Sequence, residues 1–250
     1  MEDHLFLYIL HLADNSLIMG HRLSEWTGHG PMLEQDIALS NIALDHIGQA
    51  RNLYQYAAEC KGDGSTEDSL AYLRQDREFK NFLITELPNG DWAKTITKLF
   101  FFCSYQYEFY QLLIRSSDSQ LAAIAEKSLK EVTYHRRWSS EWMIRMGDGT
   151  DESHQRVQDA VDDLISYTGE MFTSVNYEET CVSNSIGVDV SALKFPWQNY
   201  IFNILDEATI VLPENKWMQQ GGKQGMHSEH LGFLLAEMQH LQRTYPGCKW

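Results

Sequence analysis

The residues best suited to metal or acid–base chemistry are Glu131 and His135, within the stretch 128–142. They are four positions apart, so on a helix they lie on one face and can share a partner. Four-helix bundles that bind two metals carry Glu-x-x-His on each of two helices and one Glu on each of the other two. Here Val132 stands three positions before His135, and its side chain cannot bind a metal. The stretch therefore indicates a variant of such a metal site or its remnant.

The matching positions on the other predicted helices offer acids but no second Glu-x-x-His. The first helix carries Asp14 or Glu25, and the third carries Glu108. On the second helix the candidate acid is Asp45, with Gly48 where the histidine would stand. Because both motifs are broken, we expect too few ligands for two tightly bound metals.

We expect these polar groups to be buried and paired with one another, because a buried charge requires a partner. In its sharpest form, the prediction is that His135 is hydrogen-bonded to Glu131 or Asp45 in a core without metal. Arg51 and Arg136 are the other candidate partners of the two acids. The alternative is a di-metal oxygenase or oxidase with an unusual ligand set, namely Asp14, Asp45, Glu108, Glu131 and His135.

The C-terminal region offers weaker candidates. Glu237 and His240 form an intact Glu-x-x-His, but one copy arises readily by chance and no second copy faces it. The cluster of His227, Glu229 and His230 is a candidate metal or acid–base site, although acids at a helix start more often stabilise its dipole.

Composition excludes several classes of function. The net charge of −15 over 250 residues argues against binding to nucleic acid or anionic membranes. No signal peptide and no apolar run long enough to cross a membrane is present. The cysteines are scattered, without a disulfide framework or zinc motif, at Cys60, Cys103, Cys181 and Cys248. We therefore expect a soluble, cytoplasmic protein.

Apolar spacing predicts an all-α fold, in which residues 1–250 form a single ferritin-like domain. Two antiparallel hairpins would supply a four-helix bundle with helices at about 4–27, 31–60, 91–115 and 119–146. Asp91 is the expected cap of the third helix, and Gly147 to Thr150 separate the fourth helix from a fifth. The additional C-terminal helices are predicted at about 152–174, 196–208 and 227–244.

Four long stretches of the chain resemble one family. They are WTGHGP-x-LE-x-DIALSNIALDHIGQARN from Trp26, KEVTYHRRWS from Lys130, MGDGTDESHQRVQDAVDDL from Met146, and the C-terminal stretch from Gly221 to Trp250. Together they resemble the PaaC subunits of the monooxygenases that epoxidise the ring of phenylacetyl-CoA. Long strings over nearly the whole chain carry this resemblance, rather than one short pattern.

The resemblance implies a ferritin-like fold and a homologous catalytic partner subunit that holds a di-iron centre. That partner would epoxidise phenylacetyl-CoA with electrons from NADPH, delivered through a separate flavin and iron–sulfur reductase. The present chain would be the non-catalytic structural subunit, in aerobic phenylacetate degradation, without catalytic, cofactor-binding or metal-binding residues of its own. The relic, metal-free positions would be Asp45, Gly48, Glu108, Glu131, Val132 and His135.

Such a partner requires a contact surface, and Trp138 and Trp142 are suited to one. Contacts between two copies of the chain remain open, and so does a ferritin-like storage protein unrelated to oxygenation. The Arg136–Arg137 pair is predicted to be a solvated or interface patch. Any contact with the CoA thioester would fall on basic residues, namely Lys127, Lys130, Arg136, Lys194 and Lys223.

Overall fold

The computed structural model describes residues 4–214 and 217–248, and no strand occurs within these ranges. The predicted all-α class is confirmed for this part of the chain. In chain order the helices are α1 (His4–Ser24), α2 (Leu33–Lys61), α3 (Glu67–Tyr72), α4 (Leu83–Glu86), α5 (Trp92–Leu113), α6 (Ser119–Gly147), α7 (Asp151–Leu164), α8 (Asn176–Ser183), α9 (Lys194–Glu207), α10 (Glu229–Met238) and α11 (His240–Thr244).

The first compact unit comprises residues 1–88 and 221–250 and is built around the hairpin of α1 and α2. Gly20 lets these helices approach closely, because a Cβ there would lie 2.9 Å from Ile47 Cδ1 and 3.2 Å from the Ala43 carbonyl oxygen. A larger residue at position 20 would therefore force the two helices apart.

Arg22 of α1 fixes the C-terminal part of this unit. Its Nε and Nη2 donate to the carbonyl oxygen of Glu86 at 3.0 and 2.8 Å. Nη2 also donates to the carbonyl oxygen of His230 at 3.1 Å. Since Arg22 is buried, these bonds replace the water that its guanidinium has lost. They tie α1 to the end of α4 and the start of α10.

The second compact unit, residues 89–220, is built around the hairpin of α5 and α6. The aromatic run Leu99–Phe102 on α5 is fully buried. A helix that is apolar on all sides must be enclosed, and α6, α7 and α9 pack around α5. Trp197 of α9 donates its indole N–H to the carbonyl oxygen of Phe101 at 3.0 Å.

Two predicted helix starts in this unit are confirmed by their caps. Asp91 Oδ1 accepts the Lys94 amide at 2.9 Å at the start of α5. Thr150 Oγ1 accepts the Ser153 amide at 3.2 Å at the start of α7. Each cap satisfies an amide that has no partner inside its helix.

The predicted helix over about 152–174 is wrong beyond Leu164. The chain there tightens into the 3-10 turns Ile165–Tyr167 and Gly169–Phe172. Thr168 Oγ1 donates to the carbonyl oxygen three residues earlier, at 2.8 Å. The Thr168 backbone amide donates to the same oxygen at 3.2 Å, an i to i+3 bond that replaces the i to i+4 bond of an α-helix.

The predicted helix over about 227–244 begins later and is interrupted. It starts at Glu229 and breaks at Gln239, whose buried side chain donates to the carbonyl oxygen of Arg74 at 3.0 Å. Helix α8 was not predicted, because its stretch mixes apolar and polar residues without a clear period.

No helix in the described ranges combines the length and apolar character that crossing a membrane requires. Residues 1–3, 215–216 and 249–250 lie outside the described residues. Because the chain divides into two compact units, the single domain over residues 1–250 stays a prediction.

Candidate functional site

Asp14, the candidate ligand on the first helix, is fully buried and bound to an arginine. Arg74 Nη1 donates to Asp14 Oδ2 at 3.1 Å, and Nη2 donates to Oδ1. The Tyr54 hydroxyl donates to Oδ1 at 2.5 Å, and the Lys80 amide donates to Oδ2 at 2.7 Å. Each carboxylate oxygen thus accepts two hydrogen bonds, which fills its ordinary acceptor capacity.

Arg74 is itself held in a fixed position. Its Nε donates to the carbonyl oxygen of Leu70 at 2.5 Å, and its guanidinium lies 4.0 Å from the centre of the Phe79 ring. Burial, with the charge of Asp14, raises the pKa of Tyr54 well above its usual value, so its hydroxyl stays a donor. A permanent cation therefore neutralises Asp14, the role that a metal would have in a di-metal bundle.

Glu25, the other candidate on the first helix, also pairs with an arginine. Arg22 Nη1 donates to Glu25 Oε1 at 2.7 Å, and the Glu25 side chain is 40% exposed. Glu25 is therefore a partly solvated carboxylate, one turn from an arginine that is itself buried.

Gly48 lies on the exposed side of α2. A Cβ at this position would meet no heavy atom within 4 Å. The exposed residues Ile37 and Leu44 precede it by eleven and four positions, on the same helical face. A histidine at position 48 would therefore point into open space. The position at which the second motif would carry its histidine thus faces away from the packed side of α2.

The remaining second-helix candidate is Asp45, whose neighbour in the chain is His46. Asp45 is half-buried, and His46 is fully buried. Arg51, a predicted partner of Asp45, forms its ion pair with Glu67 instead, at 3.2 Å. The prediction for Arg51 is wrong because its exposed position reaches α3 rather than the helix core.

Glu108, the candidate on the third helix, is likewise paired with an arginine. Arg136 Nη1 lies 3.1 Å from Glu108 Oε1, and both side chains are largely buried. The Arg136 guanidinium lies 4.1 Å from the ring centre of Tyr107 and 3.4 Å from that of Tyr200. Arg136 is therefore enclosed between two aromatic rings, so the prediction that it pairs with Glu131 is wrong, and so is that of a solvated position for Arg136. Arg137 is exposed, and the interface patch stays a prediction.

The motif around His135 lies on the inner face of α6. Val132 and His135 are fully buried, and Glu131 is half-buried. The Tyr134 and His135 rings contact each other at a centroid distance of 6.3 Å. The hydrogen bond of His135 to Glu131 or Asp45 stays a prediction, as do the relic positions as a set.

His227 is bound to a buried acid rather than to the predicted cluster. Its Nδ1 lies 2.7 Å from Glu86 Oε2, and its Nε2 lies 2.9 Å from the Phe79 carbonyl oxygen. Asn81 Nδ2 also donates to Glu86 Oε2, and the Ser228 amide donates to Oε1 at 2.6 Å. Since both imidazole nitrogens face acceptors, both donate, and the ring is a cation.

The charge of His227 agrees with its pKa. Burial lowers this pKa, but the hydrogen bond and charge of Glu86 and the Phe79 carbonyl outweigh burial, so the pKa is raised overall. His227 and Glu86 therefore form a buried ion pair that joins the start of α10 to α4.

The other C-terminal candidates do not form a cluster with His227. Glu229 is exposed, and His230 contributes its carbonyl oxygen to Arg22. Glu237 and His240 are both exposed and lie on different helices, since α10 ends between them. The Glu-x-x-His spacing there does not define one helical face.

Some residues that were predicted from the sequence to contact a partner subunit or CoA are buried. Trp138 is 8% exposed and packs against Trp92 at a centroid distance of 6.1 Å, so it belongs to a tryptophan cluster of its own unit. Trp142 contacts Trp92 at 5.6 Å. Lys223 is 3% exposed, with its Nζ over the Phe82 ring. Of the basic residues predicted for a contact with CoA, Lys127, Lys130 and Lys194 are exposed.

The residues present do not fit a pair of metal ions. Asp14 and Glu108 are bound to arginines, and Val132 offers no donor atom. Within residues 4–214 and 217–248, no group of three or more His, Cys, Asp or Glu side chains is arranged to hold a metal. Di-metal carboxylate sites need several such ligands converging on each ion.

The sequence did not reveal Arg74 or Glu86 as key residues. Arg74 is separated from Asp14 by 60 positions, and nothing local marks it as buried. Glu86 did carry a signal, because it closes the largely apolar run Leu83-Ile84-Thr85 before Leu87. An isolated acid in such a run indicates burial with a partner.

Comparison with known proteins gives two results. The family model described as "Phenylacetic acid catabolic protein" matches residues 1–250. The chain is 44% identical over 248 residues to a protein of Escherichia coli (strain K12) that is named as one of the subunits of 1,2-phenylacetyl-CoA epoxidase. That alignment covers 99% of this chain and 100% of the relative. The resemblance seen in the sequence is confirmed, and a ferritin-like fold is consistent with this family.

Proposed function

The chain belongs to the phenylacetic acid catabolic protein family, and on that premise we propose that it is the non-catalytic structural subunit of a phenylacetyl-CoA epoxidase complex. In this role it stabilises a homologous catalytic subunit that holds the di-iron centre, and it carries no cofactor itself. The reductase that supplies electrons acts on the catalytic subunit and meets this chain only indirectly.

The observation that carries the non-catalytic role is the Asp14–Arg74 pair. An acid that must bind a metal cannot also be neutralised by a buried, permanently charged guanidinium. The Glu108–Arg136 pair repeats this arrangement on α5. Both pairs count against the alternative of a di-metal oxygenase in its own right.

An exposed apolar face on α2 supports the subunit role. Leu33, Ile37 and Leu44 are 71%, 52% and 67% exposed, and they lie along one face with Gly48. Exposed apolar side chains in register along a helix mark a protein interface more often than a solvated surface. Because Gly48 has no side chain, a partner helix can approach closely there. We assign this face, rather than Trp138, to the contact with the catalytic subunit.

Replacing Ile37 and Leu44 together, as Ile37→Glu/Leu44→Glu, should weaken association with the catalytic subunit at least about tenfold. The reason is that two buried carboxylates would lose water without gaining partners in the interface. Co-expression of the two subunits, followed by co-purification and size-exclusion chromatography, measures this association.

Phe195→Glu is the control, because Phe195 is 79% exposed on α9 and the substitution places one carboxylate on an exposed apolar position outside the α2 face. It should leave association unchanged. If both variants weakened association equally, the assignment of the α2 face to the contact with the catalytic subunit would be contradicted. Failure of the unaltered chain to travel with any related subunit would contradict the structural-subunit proposal and favour a storage protein.

A further inference from the structure

Basic residues line a cleft in the first compact unit, although the protein as a whole is acidic. Its volume is about 430 Å³, and Lys61, Arg74, Arg77 and Lys80 line it. The chain as a whole carries a net charge of −15, so this positive charge is a local feature. Clustered cations around a concave surface concentrate anions there.

Two of these cations are available to a ligand. Arg74 is bound to Asp14, and Lys61 lies 3.1 Å from Asp63. Within the described residues, Arg77 and Lys80 have no carboxylate within ion-pair distance. Arg77 is exposed and Lys80 is half-buried, so both can reach a bound molecule.

The cleft also has an apolar part. Phe6, Leu10 and Leu73 line it, and Leu73 is 53% exposed. Glu78, an acid in the same lining, has its Oε2 accepting the Gln75 amide at 2.7 Å. Apolar side chains beside two available cations give the cleft two distinct chemistries, a combination that small-molecule sites use.

We propose that this cleft binds an organic anion with an apolar body. Its carboxylate or phosphate would be held by Arg77 and Lys80, and its body would pack on Phe6, Leu10 and Leu73. A guanidinium binds such oxyanions through two parallel hydrogen bonds. The volume of about 430 Å³ lies within the range of small-molecule sites.

Two sources offer this chemistry, the phosphorylated nucleotide of a CoA thioester and a free aryl carboxylate. The cleft and its lining belong to this chain alone, whereas the choice of these two ligands rests on the proposed function. Loss of complex formation and loss of ligand binding are therefore separate outcomes.

Isothermal titration of the purified chain with coenzyme A, phenylacetate and inorganic phosphate tests the proposal. We expect saturable binding of one organic anion, and the tighter of the two identifies the source. The variant Arg77→Gln/Lys80→Gln should weaken it at least about tenfold, and Leu73→Ser should weaken it by a smaller factor. Inorganic phosphate should bind much more weakly, because it lacks the apolar body.

Lys127→Gln/Lys130→Gln is the matched control, since it removes the same charge from an exposed part of α6. Its affinity should stay within about twofold of the unaltered chain. Absence of saturable binding by both organic anions would overturn the proposal. Equal weakening by the control, or phosphate binding as tightly as the organic ligand, would overturn it as well. Because Arg77 is exposed, Arg77→Gln alone keeps the test valid if the double variant unfolds.

Discussion

Replacing Arg74 with methionine should lower the free energy of unfolding by about 3–5 kcal/mol. The substitution keeps an apolar side chain of similar length but leaves the Asp14 carboxylate buried without its cation. The remaining donors, the Tyr54 hydroxyl and the Lys80 amide, cannot neutralise a full charge. Urea denaturation followed by circular dichroism measures the loss as a lower midpoint.

Arg51→Met is the control for this experiment, because Arg51 forms an exposed pair with Glu67. It should cost less than about 1 kcal/mol. The double variant Asp14→Leu/Arg74→Met should regain most of the lost stability, since it removes both buried charges. A loss for Arg74→Met no larger than that for Arg51→Met would show that the buried pair does not stabilise the fold.

Replacing Glu86 with glutamine should cost about 3 kcal/mol, because its two oxygens accept hydrogen bonds from His227, Asn81 and the Ser228 amide. A glutamine side chain turns its NH2 group toward at least one of these donors and leaves the His227 cation without its counter-charge. Since Glu86 joins α4 to the start of α10, the loss should be greatest in the C-terminal segment. Hydrogen exchange measures this: relative to the unaltered chain, the exchange rate should increase more in α10 than in α5.

The same pair makes stability depend on pH. The pKa of His227 is raised in the folded state above its ordinary value of 6.5. Its contribution is therefore complete below about pH 6.5 and is lost as the pH rises through the folded-state pKa. The urea midpoint should fall over that window in the unaltered chain. His227→Asn should remove this part of the pH dependence.

His11 is the control for the pH experiment, because burial and the charge of Lys223 lower its pKa to about 3. Above about pH 6.5 it is neutral in both the folded and the unfolded state, so His11→Asn should leave the profile of the midpoint in that window unchanged in shape. Below about pH 6.5 only the unfolded state takes up a proton at His11, so this variant should change the profile on the acid side alone. A profile for His227→Asn identical to that of the unaltered chain would contradict the assignment of a charged His227.

The helical pattern was predictable from sequence because the long amphipathic helices bury a repeating apolar face and end at clear signals. Asp91 and Thr150 illustrate this, since capping depends on only three or four neighbouring residues. The prediction of a helix over 152–174 was wrong beyond Leu164 because the chain tightens into 3-10 turns, which apolar spacing does not distinguish from an α-helix. Local structure was therefore predictable where its pattern repeats and not where the hydrogen-bond pattern changes.

The candidate acids could be identified from sequence, but their partners could not. Asp14 and Glu108 were chosen by residue type, whereas the arginines that hold them lie 60 and 28 positions away along the chain. Partner choice depends on which surfaces pack, and no local pattern encodes it. The same limit applies to Gly48, whose position on the exposed face depends on which side of α2 is covered.

Iron analysis of the purified chain, expressed alone in iron-rich medium and checked for native helical content, tests the central claim most directly. The arginine-bound acids predict iron far below one atom per chain and no oxidase activity. A content close to two iron atoms per chain, together with oxidase activity, would contradict the structural-subunit account.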